Sequence, residues 1–115
     1  MSRREGDVRL RHMLDYSREA VALVSGRKRG DLDTDRQLNL ALVRLLEIVG
    51  EAASRTTDEE RLQFPSIPWS QIVGLRNRLI HGYDSVDFDV LWGIISGDLP
   101  KLIAELESHL PEGAS

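Results

Sequence analysis

The sequence contains no cysteine. That excludes disulfides, thiolate-ligated metals and a cysteine nucleophile. No apolar run approaches the ~20 residues that a membrane span needs. The start, Met1-Ser2-Arg3-Arg4-Glu5, leads into charged sequence and lacks the apolar stretch of a signal peptide. A soluble, cytoplasmic protein without a membrane partner is therefore expected. Internal repeats and low-complexity segments are missing. So is the alternation of β-branched residues that marks strands. No glycine-rich phosphate loop with a Walker lysine occurs. The three histidines, His12, His81 and His109, are scattered. None has Glu or His at the spacing of a helix-borne metal site, so no metal and no cofactor are expected.

What remains is 115 residues, 41% hydrophobic and 30% charged, with a net charge of −4. That suits one globular domain over residues 1–115 and leaves no room for a second core. The charge is uneven. Residues 1–30 hold eight basic groups against four acids, whereas the remainder holds seven against fifteen. The acidic total argues against nucleic-acid binding through bulk charge. A local basic site stays open: Gln63 to Tyr83 contains no acid but includes Arg76, Arg78 and His81.

The dominant periodicity is near 3.6 residues. Leu10, Met13, Leu14, Val21 and Val24 predict a helix over about 6–25, ending near Gly26. A second helix is expected after Asp33 as N-cap, with Leu38, Leu42, Leu45, Val49 and Ala52 in one stripe. Its opposite side carries Leu40, Val43 and Gly50, with Glu47 and Ser54 among them. A helix with two usable faces is either sheltered by a loop or meets a second subunit. Arg55 to Pro68 reads as a polar connection with room for one turn at Asp58–Leu62. The third helix is expected over about 68–81, with Gly82 ending it. The stripe Phe88, Trp92, Ile95, Leu99, Leu102, Leu106 predicts two nearly collinear helices, 86–97 and 98–110. Pro100 would break them apart and Asp98 would cap the second. The expected fold is all-α, a four- to five-helix up-and-down bundle. Dimerisation would add to its stability.

Several residues do not suit a plain bundle. On a wheel of about 100° per residue, Trp69, Ile72, Val73, Leu79 and Ile80 all fall within about 60° of Arg76. Arg76 is thus expected in the middle of the apolar face. A guanidinium there needs either a structural carboxylate from a neighbouring helix or a wet cleft that holds an anion. Five helical steps would place His81 roughly 8–9 Å away, so that both could reach one phosphate group. The same histidine could simply cap the last carbonyls of its helix. Tyr83 reads either as an amphipathic lid on the core or as a hydroxyl at the same mouth. Asn77 could orient a neighbour and Arg78 could contact phosphate; both also suit an ordinary surface.

The stretch Arg76-Asn77-Arg78-Leu79-Ile80-His81-Gly82-Tyr83 resembles the signature of HEPN-domain proteins. Its form, Arg, four residues, His, one residue, Tyr, is similar to the ribonuclease toxins of the HepT–MntA type. Leu46-Glu47-Ile48-Val49-Gly50-Glu51-Ala52-Ala53 resembles that group's second helix. Pro68-Trp69, Leu91-Trp92 and Leu99-Pro100 extend the likeness over nearly the whole chain.

The resemblance implies a helical homodimer whose two motif copies form a composite, metal-independent endoribonuclease site. It implies that Arg76 and His81 are the catalytic pair, Asn77 the motif's polar residue, and Tyr83 the site of AMPylation. The modifying partner would be a nucleotidyltransferase antitoxin of the MntA type, in a type VII toxin–antitoxin system. The residues suit such chemistry. RNA carries its own nucleophile in the 2′-OH; histidine can move the proton, and arginine can stabilise the phosphorane. Cleavage would leave a 2′,3′-cyclic phosphate. Two other readings stay open: a non-catalytic helical dimer that binds a nucleotidyltransferase or nucleotide, and a structural bundle in which Arg76 makes only an internal ion pair.

Overall fold

The computed structural model describes residues 3–81 and 85–110. The chain is an all-α bundle. Helix α1 (Arg3–Leu23) is followed by a short α2 (Asp31–Thr34) and the long α3 (Arg36–Ser54). Then come α4 (Asp58–Leu62), α5 (Trp69–Val73) and α6 (Leu75–Leu79). The last rod is continuous helix in three parts: α7 (Phe88–Gly93), a π-helical stretch Ile94–Asp98, and α8 (Leu99–Glu107). Helix α1 packs along α3 and α8, while α5 and α6 lie against α3. The core is drawn from all of these, with Met13, Leu14, Leu42, Leu46, Leu75, Leu91 and Leu99 fully buried. Arg18 of α1 pairs with Glu107 of α8 at the rim. Among the described residues, no helix is long and apolar enough to cross a membrane.

The turn between α1 and α2 follows the sequence closely. Gly26 adopts φ +75°, the left-handed conformation expected just past a helix end. The cap of α3 is shifted. Asp35, not Asp33, accepts the Leu38 N–H, at 3.0 Å. Asp33 lies inside α2 and bonds Arg29 instead, at 3.0 Å. The basic loop is largely neutralised by acids: Arg27 bonds Asp35 at 3.1 Å, and Arg29 also reaches Asp89 of α7 at 2.6 Å.

Helix α4 occupies the expected turn. Thr57 and Glu60 form its capping box, each side chain satisfying the other's backbone N–H. The connection that follows is less polar than it reads, because Phe64 and Ile67 are buried. Phe64 also meets the ring of His109 edge-on, with centroids 4.7 Å apart.

Two expectations fail in the second half. The helix expected over 68–81 is divided at Gly74 and ends at Leu79. Ile80 and His81 are extended, and form a two-residue antiparallel ladder with Val86 and Ser85. Gly82 therefore does not terminate a helix after His81; it lies outside the described residues. The expected break at Pro100 is absent too. The wide π-helical stretch precedes the proline, which sits in the first turn of α8. A proline ring clashes with the carbonyl four residues back, here that of Ser96, and lacks an N–H to bond it. Widening the turn relieves both problems without interrupting the rod. Asp98 has helical φ and ψ and its side chain caps nothing; it turns to Arg78.

Candidate functional site

The division at Gly74 decides where Arg76 points. Ile72, Leu75 and Leu79 are buried, so the core-facing stripe runs through them. Leu75 and Leu79 are four residues apart on one face of α6, and Arg76 is about 100° round from Leu75. Arg76 is consequently exposed, not centred on the buried face as the straight wheel implies. Val73 is 38% exposed for the same reason. Trp69 is only half-buried; its Nε1–H donates to the Phe64 carbonyl, and Arg61 lies over its ring.

Arg76 faces a cleft of about 360 Å³ between α3 and the α5–α6 pair. Val73, Arg76 and Asn77 line one wall; Arg44, Glu47, Gly50, Glu51 and Ser54 line the other. The second wall is the α3 face opposite its core stripe. Gly50 lets the two walls approach. It is buried, and a Cβ there would meet the Ile72 carbonyl oxygen at 3.1 Å. A glycine inside a helix costs about 1 kcal/mol relative to alanine, so its presence here answers to this contact.

Among the described residues Arg76 has no acid partner. Asn77 is exposed beside it. Arg78 is exposed as well, but turns to the last rod and pairs with Asp98 at 3.4 Å. His81 lies beyond the helix, its backbone paired with Ser85. The five-step helical spacing between Arg76 and His81 therefore does not hold, and the separation of about 8–9 Å drawn from it lapses. Tyr83 lies outside the described residues. Among the described residues, no three of His, Asp and Glu gather as a metal-binding group.

A match to the family described as "Ribonuclease HepT-like" spans residues 13–109. The chain belongs to this family. Relatives agree over most of its length. "Putative RNase MJ1380" of Methanocaldococcus jannaschii is 34% identical over 107 residues, covering 93% of this chain and 98% of its own. "Putative RNase TTE0752" of Caldanaerobacter subterraneus subsp. tengcongensis is 34% identical over 101 residues, 88% of this chain and 90% of its own. "Probable ribonuclease HepT" of Thermococcus cleftensis is 36% identical over 77 residues, 67% of this chain and 70% of its own. No solved structure matches the chain.

Within this HepT-like chain, the sequence reading missed the opposite wall as a partner of the motif. Glu47 and Ser54 fall on the outer side of α3 in the sequence, with no local signal that connects them to Arg76. Arg44 carries no motif that marks it. The available signal was spacing: Arg44, Glu47, Glu51 and Ser54 recur by three and four, so they share one helix face with Gly50.

Proposed function

We propose that this protein is a metal-independent endoribonuclease toxin of the type VII, HepT–MntA kind, acting as one domain over residues 1–115. The observation that carries this reading is Arg76 standing over an open cleft, unpaired among the described residues, in a chain of the ribonuclease HepT-like family. An exposed guanidinium without a carboxylate is available for a phosphodiester.

In the proposed reaction, the ribose 2′-OH of the RNA attacks its own phosphorus. A base takes the 2′ proton, an acid gives a proton to the departing 5′ oxygen, and a 2′,3′-cyclic phosphate remains. His81 does one of these jobs, and its counterpart in a second protomer does the other. Such a proton transfer is worth ~10²–10⁴ in rate. Arg76 stabilises the charge on the phosphorane. Asn77 supports this group, and Arg78 steadies the RNA backbone. The homodimer would use the outer face of α3. That face exposes Leu40, at 51%, with the half-buried Val43 on the same side, and Val73 is exposed at the other wall of the cleft. Exposed apolar groups around a polar cleft suit a two-fold contact that encloses it.

Neutralisation follows from the same charges. An MntA-like nucleotidyltransferase would transfer the AMP group of ATP to the Tyr83 hydroxyl, which loses its proton as the α–β phosphoanhydride breaks and pyrophosphate leaves. The added phosphate would repel RNA and engage Arg76 or Arg78. Co-production with that partner should raise the mass in steps of one AMP, and Tyr83→Phe should abolish the rise.

The deciding experiment is digestion of RNA by the purified protein beside Arg76→Ala and His81→Ala. Each substitution should lower the rate at least about 10²-fold without loss of helix signal. The wild-type products should carry cyclic phosphate ends, and EDTA should leave the rate unchanged. A folded Arg76→Ala protein that cuts RNA at the wild-type rate would refute the assignment.

A further inference from the structure

Most of the arginines whose side chains are described have a partner. Arg9 pairs with Glu60, Arg18 with Glu107, Arg27 with Asp35, Arg29 with Asp33 and Asp89, Arg55 with Glu51 and Arg78 with Asp98. Arg61 donates to the Ala53 carbonyl and lies over Trp69. Arg11 also has a partner. The described exceptions are Arg36, Arg44 and Arg76. Arg36 stands at the start of α3, two turns before the cleft. The other two stand on opposite walls of the same cleft.

In an acidic chain, a guanidinium left without a carboxylate is unusual, because acids outnumber bases. Two of them across one cleft are a place for an anion. From this pairing we infer that Arg44 is a second phosphate ligand, holding a non-scissile phosphodiester of the same RNA strand whose scissile group meets Arg76. The inference rests on the ribonuclease reading above and adds a residue to it.

The cleft is not a basic track. Glu47 and Glu51 also line the α3 wall, and Glu51 is tied to Arg55 at 3.0 Å. These carboxylates disfavour a run of phosphates along α3 and leave room for local contacts at the two arginines. Binding should therefore depend on salt only weakly for a nuclease, as a contact with very few phosphates requires.

The test uses the full-length protein, a short single-stranded RNA, and its 2′-O-methyl form, which cannot be cut. Arg44→Gln should raise KM roughly 5- to 20-fold at low salt with a far smaller change in kcat. It should also reduce the slope of log affinity against log salt by about 0.7, the share of one single-strand phosphate. Arg44→Lys should restore most of that slope. A merely structural role would lower the melting temperature and leave the slope alone.

The outcomes separate the inference from the reading beneath it. If the wild type cuts RNA but Arg44→Gln keeps its KM and slope, the inference is overturned and the ribonuclease reading stands. If the wild type binds the 2′-O-methyl RNA with an Arg44-dependent slope but never cuts, the ribonuclease reading falls and takes the scissile strand with it, and Arg44 is left as a phosphate contact of an RNA-binding protein only. An effect of Arg44→Gln confined to the monomer–dimer equilibrium overturns the inference, since Arg44 would then be an interface ion-pair partner. Absence of any RNA binding overturns both.

Discussion

The backbone of Gly50 in α3 lies against the Ile72 carbonyl of α5 so closely that a Cβ at position 50 would meet that oxygen at 3.1 Å. This approach sets the width of the cleft that Arg76 faces. Gly50→Ala would gain about 1 kcal/mol of helix propensity, yet must push a backbone carbonyl aside. The net effect should be destabilisation of about 1–2 kcal/mol, read from the urea midpoint. RNA cleavage should fall as well, because the wall that carries Arg76 moves. A variant more stable than wild type would show that the two helices yield freely.

Arg78 and Asp98 join the motif helix to the π-helical stretch at 3.4 Å. Each is more than a third exposed, so the pair contributes only about 0.2–1 kcal/mol. Asp98→Asn should lower stability by no more than that. It should also tighten RNA binding by about twofold, since it releases Arg78 and removes a negative charge beside it. Fluorescence anisotropy with the 2′-O-methyl RNA measures this directly. Weaker binding after Asp98→Asn would mean that Arg78 works only when held.

Arg29 reaches Asp33 and Asp89 at once, and so ties the loop before α2 to α7. Its guanidinium holds its proton more firmly than usual, chiefly through the hydrogen bond to Asp89. Arg29→Ala should therefore lower the melting temperature while cleavage of RNA stays within about twofold. A large loss of RNA affinity in a folded Arg29→Ala protein would reassign this loop to the substrate.

Asp35 should leave a signature in acid. Its carboxyl is held below the usual carboxylate range, first by the Leu38 N–H, with burial opposing and Arg27 assisting. The folded state thus prefers the charged form more than the unfolded state does. The stabilisation is complete above the unfolded pKa, about 4, and is lost as pH falls through the lower folded value. Urea midpoints measured from pH 6 to 3 should show less of this loss in Asp35→Asn, which keeps a capping oxygen but does not titrate. Equal acid slopes in the two proteins would remove Asp35 from the account.

Much of the fold is readable in the spacing of apolar residues. The stripes from Leu10 and from Leu38 become the faces of α1 and α3, and the turn expected at Asp58–Leu62 becomes α4. The same logic misplaces Arg76. A wheel assumes one straight axis, and Gly74 divides that axis between Trp69 and Leu79. Asp35 displaces Asp33 as the cap because Asp33 falls inside the short α2, where it pairs with Arg29 four residues earlier, and the chain becomes extended only at Asp35. Pro100 likewise signals a break, but the chain widens one turn instead, because the rod must keep packing on α1.

Period and the Arg–His–Tyr spacing were enough to settle the class of fold and the family resemblance, because those are local or one-dimensional properties of the chain. Which cations are left without an acid is different in kind. It depends on residues up to 89 positions apart, as in Arg18 and Glu107, being brought side by side. Only folding shows that Arg44 and Arg76 share a cleft, because only packing decides which walls meet and which charges have already found partners.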